Sequence, residues 1–339
     1  MIAVLATVLC SAPSLAADTK VETVLAGLHQ PCGVAVRPGG AGKPYEVFVA
    51  ESGAQRVVRI SSDQPGKSAV VIQGFDAAAD GGDPLHAGSP LGLLFLDRAR
   101  LVVGGSGSPP SVWLYEIGDA KDPLSAEQMK QRIALPAPPE VSELPHGGCY
   151  ALSRTRPNDT VPDLLLVAVV GDGRVSDVWK LRIRAGTLSD MNRFTTKPGD
   201  DDAGTVLAAV AVSEQGFVLT ARRGAKRDSV LTFQNPASGA TVMRLPTELH
   251  TIAGLAYSTR SPNLYALDLA TASPGEGGLF RIDDAGQAGR PACKAVRIQT
   301  IQKPTALAFG PDGALYITAW NDANGRSDQG LLLRLTGEL

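Results

Sequence analysis

One pattern recurs six times along the chain, and its period of about fifty residues restricts the fold more than any single motif does. Each copy opens with a loop, often carrying Pro-x-Gly, and runs into a short apolar segment. A turn, a second apolar segment, a Gly-rich loop and a third segment follow, the last often ending in Arg with Ile or Leu. The first copy reads Pro31-Cys32-Gly33-Val34-Ala35-Val36, then Val47-Phe48-Val49-Ala50-Glu51-Ser52-Gly53, then Arg56-Val57-Val58-Arg59-Ile60. The last reads Pro304-Thr305-Ala306-Leu307-Ala308-Phe309-Gly310-Pro311-Asp312-Gly313-Ala314-Leu315-Tyr316-Ile317-Thr318, then Gly330-Leu331-Leu332-Leu333-Arg334-Leu335. Four weaker copies open at Pro90-Leu91-Gly92, Cys149-Tyr150-Ala151, Ala209-Val210-Ala211 and Gly254-Leu255-Ala256. The position of Gly33 recurs at 92, 149, 209, 254 and 306, at intervals of 59, 57, 60, 45 and 52 residues.

Short apolar runs bounded by Gly and Pro read as strands. Each copy but the last is followed by one more β-prone run, and with an outer strand for the sixth the expectation is six antiparallel units of four strands. One such sheet cannot bury both faces, and its edges invite aggregation. Six sheets packed face to face around an axis solve both problems, which predicts an all-β, six-bladed β-propeller. The small apolar first runs suit crowded strands lining a central channel. The sixth copy lacks its outer strand, and Val21-Glu22-Thr23-Val24-Leu25-Ala26 is placed to supply it, closing the ring. No linker or charge run divides residues 17–339, so one domain is expected.

These motifs resemble the six-bladed propellers of the NHL-repeat group, in the superfamily often called TolB-like. Gluconolactonase-like enzymes and soluble quinoprotein sugar dehydrogenases belong to the same superfamily. The resemblance is strong in the first and last copies and weak between them. It is specific for fold, since this architecture hosts enzymes, binding modules and interaction scaffolds alike.

Charge and composition exclude several classes. Lys+Arg (32) nearly cancels Asp+Glu (34), leaving no electrostatic footprint for nucleic acid or an anionic membrane. Residues Met1 to Leu15 form an apolar run, and Ser14-Leu15-Ala16 offers small residues for cleavage before Ala17. That predicts a signal peptide over 1–16 and a periplasmic or secreted protein with no membrane span after cleavage, though no Lys or Arg precedes the apolar core. The mature chain then holds Cys32, Cys149 and Cys293, an odd number that leaves at least one thiol without an intramolecular partner. A monomer is expected.

Candidate chemistry gathers in the loops that enter the first strand of each copy. All four histidines fall there: His29, His86, His146 and His250. One reading is a metal site with imidazoles from separate blades, with or without a thiolate from Cys32 or Cys149, three residues after His29 and His146, holding Zn, Cu or Fe. The layout is reminiscent of propeller lyases that act on amidated peptide precursors and hold zinc in that way. The other reading is a polar rim of hydrogen-bonded histidines.

Two further signals follow from the resemblance. His146-Gly147-Gly148, the run Leu164 to Val170 and Gly171-Asp172 look like a stretch of the quinoprotein sugar dehydrogenases. His146 would then be the catalytic base, and a quinone the cofactor. The Glu51 turn is similar to that family's, but Ser52 stands where its Arg is expected. Gluconolactonase-like enzymes hold a divalent ion through Glu, Asn and Asp at the channel mouth. Here Glu51, Asp172, Asp268, Asn321 and Asp322 lie in loops after second strands, where they suit Ca or Mg, or simply make turns. Asp200-Asp201-Asp202 reads as a solvated loop. The basic loop beginning at Arg222 reads as a hairpin tip or a contact for an anionic ligand. No Gly-x-Ser-x-Gly elbow, phosphate-binding loop or Cys-x-x-Cys-His site occurs. The leading expectation is a small-molecule, sugar or peptide ligand bound at the channel mouth, with a metal-dependent lactonase or lyase, a quinone-dependent dehydrogenase and a protein-interaction scaffold as alternatives.

Overall fold

The computed structural model describes residues 19–37, 39, 44–75, 89–118, 122–136, 147–171, 177–194, 207–223, 229–270, 275–287, 290–320 and 328–339. The expected leader, His86, His146, Asp172, the acidic run at 200–202, the basic loop after Arg223, and Asn321 with Asp322 lie outside the described residues. The described residues hold strands, one 3-10 turn at Ala126–Gln128 and no α-helix.

The strands follow one another as antiparallel groups. First come β1 (Lys20–Leu28), β2 (Pro31–Arg37), β3 (Glu46–Glu51), β4 (Arg56–Ser61) and β5 (Ser68–Gln73). Next are β6 (Pro90–Phe95), β7 (Arg100–Gly107), β8 (Ser111–Glu116), the two-residue β9 (Leu124–Ser125) and β10 (Gln131–Ala134). A third group is β11 (Gly147–Arg154), β12 (Leu164–Gly171), β13 (Asp177–Arg184) and β14 (Thr187–Arg193). The fourth is β15 (Leu207–Val212), β16 (Val218–Arg223), β17 (Ser229–Gln234) and β18 (Thr241–Pro246). The fifth is β19 (Ile252–Tyr257), β20 (Leu264–Asp268), β21 (Gly278–Asp284) and β22 (Cys293–Thr300). Last are β23 (Pro304–Phe309), β24 (Leu315–Ala319) and β25 (Gly330–Thr336).

Hydrogen bonding divides these strands differently from the expected six separate sheets. It gives three sheets of four strands, one of five and one of eight, in a propeller-like, all-β arrangement. The eight-stranded sheet arises because β11 pairs with β7 at two positions, Gly147 with Gly107 and Gly148 with Ser106. Residues this small let two backbones approach where side chains would hold them apart. The fifth strand of its neighbour is β9, lying parallel to β5.

Packing follows the two-residue alternation of strands. In β12, Leu165, Val167 and Val169 face one neighbour, in a cluster with Val102, Leu114 and Trp179. Leu166 and Ala168 face the other, with Val210 and Val218. Likewise Val47 and Val49 pack against Tyr316 and Leu332, while Phe48 and Ala50 pack against Leu101 and Tyr115. Buried clusters of this kind lie between successive groups all the way round. The first strands of the groups also pack in a cycle: β2 on β6, β6 on β11, β11 on β15, β15 on β19, β19 on β23 and β23 on β2.

Two devices close that cycle. Strand β1 pairs antiparallel with β25, Val21 opposite Leu335 and Ala26 opposite Leu331, as the leftover N-terminal run predicts. Its Val24 and Leu28 are buried in the cluster they share with Val47 and Leu332. On the far side of the same junction, the Tyr45 hydroxyl donates to Asp312 Oδ2 at 2.8 Å and lies 2.7 Å from the Tyr316 hydroxyl. Arg334 Nη2 donates to the same Asp312 oxygen at 3.0 Å. First and last groups are thus joined by a sheet, an apolar core and a polar lock.

One detail of the repeat is corrected. The third copy's equivalent of Gly33 is Ala151, not Cys149, because the ladder slips at Tyr150 and moves the alignment by two residues. Cys32, Cys149 and Cys293 are all free thiols.

Candidate functional site

Each inner strand begins with the same irregularity. The ladder between the first and second strands slips between Pro31 and Gly33, Pro90 and Leu93, and Cys149 and Ala151. It slips again between Leu207 and Ala209, Ile252 and Gly254, and Pro304 and Ala306. A β-bulge leaves an extra residue out of the ladder and re-aims its side chain. Here the extra residues Cys32, Tyr150, Ala253 and Thr305 all line one central cavity.

The next two positions build the cavity's wall. Gly33, Ala151, Gly254 and Ala306 are small, and at Gly33 a Cβ would stand 1.9 Å from the Leu91 carbonyl oxygen. Neighbouring inner strands therefore touch through their backbones. One residue further on, Val34, Leu93, Leu152, Val210, Leu255 and Leu307 each turn an aliphatic side chain into the same space, one from every inner strand. Leu269, Val170 and Trp320, which follow or end second strands, complete the rim. The result is an apolar well of about 260 Å³, opening at the end where inner strands begin. A larger groove of about 780 Å³ lies elsewhere, between β17–β18 and β19–β21, and involves only those two neighbouring groups.

A repeated backbone bond holds the rim. The amides of Ser52, Ser106, Leu269 and Trp320 donate to the carbonyls of Gln30, Ser89, Thr251 and Lys303. Polar side chains at the collar are mostly committed. Thr305 Oγ1 and Trp320 Nε1 both donate to the Pro31 carbonyl, at 2.8 and 3.0 Å. Cys32 Sγ donates to the Gln30 carbonyl at 3.3 Å and lies 3.2 Å from Ser52 Oγ. Burial pushes the Cys32 thiol up to about 11, with the Ser52 hydrogen bond pulling weakly the other way.

Glu51, Arg222 and Asp268 occupy one register position in three different groups, opposite Pro31, Leu207 and Ile252. None of them lines the well, because each is turned to internal partners. Glu51, with no exposed surface, accepts the His29 amide at 2.9 Å and the Arg56 guanidinium at 2.6 Å. Arg222 Nη2 donates to Asp177 Oδ1 at 3.2 Å, both side chains being buried. Asp268 accepts the amides of His250 and Thr251 at 3.1 and 2.9 Å. A buried carboxylate is tolerated only with such a set of donors.

Of the four histidines, His29 and His250 are described. The backbone of His29 is fixed by Glu51 and by the Gly53 amide. The His250 ring is held on both edges: Nδ1 is 3.0 Å from Asp268 Oδ2 and Nε2 is 3.2 Å from Glu276 Oε2. Its side chain is 38% exposed, while Asp268 is 1% exposed. The two carboxylates sit at opposite edges of the ring, so they do not converge on one point. Among the described residues, no group of three His, Cys, Asp or Glu side chains is arranged to hold a metal ion.

Sequence reasoning missed Thr251, Glu276 and the bulged Tyr150, Ala253 and Thr305, and weighed Cys32 only as a thiolate beside His29. Thr251 and Glu276 flank or face His250, so its neighbourhood was the available signal. For Cys32 and Thr305, the signal was their place directly after the proline that opens the strand.

No protein-family model matches the chain, and no curated protein does. Among solved structures, a structural genomics protein of unknown function from Bacteroides thetaiotaomicron VPI-5482 matches with a TM-score of 0.54 at 14% identity, covering 95% of this chain and 76% of that one. A protein of unknown function from Bacteroides caccae matches with a TM-score of 0.40 at 16% identity, over 67% of this chain and 70% of the other. The first likeness shows an all-β, propeller-like fold.

Proposed function

We propose that the chain is an exported six-bladed β-propeller of the NHL or TolB-like kind that binds a small ligand at its channel mouth. The blade count is supported by the buried clusters between successive groups and by the cycle of inner strands. The binding role rests on one observation: every inner strand sends an aliphatic side chain into a single well, and four described inner strands add a bulged residue at its collar. Bulges are enriched beside functional sites, and a concave, mostly apolar pocket with a few polar groups is the usual form of a ligand seat. The test is a ligand screen by thermal shift on the wild type and on an Ala253→Leu variant, which fills the collar. A ligand of the well raises the wild-type Tm and leaves the variant's unchanged. A ligand that stabilises both proteins equally binds elsewhere and contradicts the proposal.

A second reading, a His-ligated metal or a catalytic base, is favoured by the His250–Asp268 pair. A carboxylate beside Nδ1 fixes the ring, as in metal sites and general bases, and a metal or substrate at Nε2 would have to displace Glu276, which lies 3.2 Å from it. His29 and His250 alone do not make a site, so this reading needs His86 or His146 as further ligands. Elemental analysis of untagged protein tests it: near-stoichiometric Zn, Cu or Fe, lost in a His146→Ala and His250→Ala double variant, is the expected result, and metal-free protein contradicts it. Export to the periplasm or beyond is tested by N-terminal sequencing, which should begin at Ala17.

A further inference from the structure

The geometry points to a particular ligand class: a compact, uncharged aromatic or hydrocarbon group of about one six-membered ring, carrying one hydrogen-bonding group that stays at the collar beside Thr251. This inference rests on the well being the ligand seat.

Size sets the first limit. A dry apolar cavity of about 150 Å³ accepts benzene, so the 260 Å³ here seats one ring with a substituent, and a larger group would extend through the mouth. Chemistry sets the second. The wall formed by Val34, Leu93, Leu152, Val210, Leu255 and Leu307 offers no side-chain polar atom. A sugar seated there would bury several hydroxyls without partners, each weakening binding by roughly tenfold. Charge is disfavoured as well, since among the described residues no ionised side chain lines the well, and buried Asp268 is spent on backbone amides and His250.

The collar sets the third limit. Thr305 and Trp320 are bound to Pro31, and Cys32 is bound to Gln30. The Thr251 amide donates to Asp268 and its carbonyl accepts from Leu269, but its hydroxyl is bonded to no other described residue. Thr251 lines the cavity, and its hydroxyl is assigned to the ligand's single polar group.

The test uses toluene, p-cresol and glucose as probes of the full-length protein, read by the Trp320 indole N–H resonance and assigned with a Trp320→Phe variant. Toluene and p-cresol should both shift that resonance and compete with each other. Thr251→Val should weaken p-cresol by about three- to tenfold, the worth of one hydrogen bond, and leave toluene unchanged. Ala253→Leu should abolish binding of both while preserving the dispersion of the remaining signals. If glucose shifts Trp320 and neither aromatic does, the ligand class is overturned and the seat stands. If the aromatics bind but shift only residues of the outer groove, such as Tyr257, both the class and the seat are overturned.

Discussion

Glu51 and Asp268 stand at the same register position of two sheets, and each accepts the backbone amide of the histidine that precedes the inner strand beside it, His29 at 2.9 Å and His250 at 3.1 Å. Each carboxylate pins the loop that enters the well. Asp268 carries the heavier load, with His250, Thr251 and Ala270 amides and the His250 ring all directed at it. Asp268→Asn turns an amide NH₂ towards those donors and should cost about 2–4 kcal/mol, since each buried unsatisfied donor costs about 1–3 kcal/mol. Glu51→Gln should cost less, about 1–2 kcal/mol, because its Arg56 partner is half-exposed and can rehydrate. Urea unfolding of the two variants checks the order, and the reverse order contradicts this reading of the loops.

Inner-strand glycines differ in what they exclude. A Cβ at Gly33 would meet the Leu91 carbonyl oxygen at 1.9 Å, a backbone atom fixed by its own sheet. At Gly254 the nearest atom is Leu307 Cδ2 at 2.5 Å, the end of a side chain that can rotate. Gly33→Ala should therefore lower stability by about 3 kcal/mol or more, and Gly254→Ala by about 1 kcal/mol, the upper and lower parts of the overpacking range. Thermal unfolding of the pair gives the comparison, and equal losses would mean the inner strands are free to move apart.

The polar lock at the ring's junction predicts acid sensitivity. Burial alone would raise the Asp312 carboxyl, but hydrogen bonds from Tyr45 and the Ala314 amide, with Arg334, outweigh it and hold the group below the usual carboxylate range. A depressed folded-state value means the contribution is present above the unfolded value of 3.8 and is lost as pH falls through the folded one. The urea midpoint of the wild type should drop as pH is lowered below 3.8, and Asp312→Asn should flatten that drop. Parallel curves for the two proteins would show that the lock adds nothing.

The thiols should separate by burial. Burial pushes Cys149 up to about 12, as it pushes Cys32 up to about 11, whereas Cys293 is only half-buried. Near pH 8, a thiol-specific disulfide reagent should modify Cys293 first, leaving Cys32 and Cys149 until the protein is unfolded. Because the Cys32 and Cys149 values lie above the unfolded 9.0, the stability they contribute is complete below that pH and fades as pH rises through the folded values. Rapid labelling of Cys149 in the native protein would contradict the packing against Leu165 and Val167.

The strands were legible because their signal is local. Period-two burial, Gly and Pro punctuation and the leftover run at Val21 to Ala26 placed the strand runs that were read and the pairing of β1 with β25. What lay beyond reach was decided between strands. A bulge shifts which residues face the axis, so Ala151 could not be told from Cys149, although the repeat spacing did align Val34 with Leu93 and Leu307. For Glu51 and Asp268 the sequence left a ligand role and a loop-turn role open for a similar reason. Loop carboxylates invite a ligand reading, but the amides that claim them, those of His29 and His250, become neighbours only when the strands pair.

The most direct test of the account is a crystal structure of the protein under xenon pressure. Dry apolar cavities take up xenon, whereas polar ones hold ordered water. The account predicts one xenon atom in the central well, in contact with Leu93, Leu255 and Leu307. A chain of ordered waters in that space, with no xenon bound there, would contradict it.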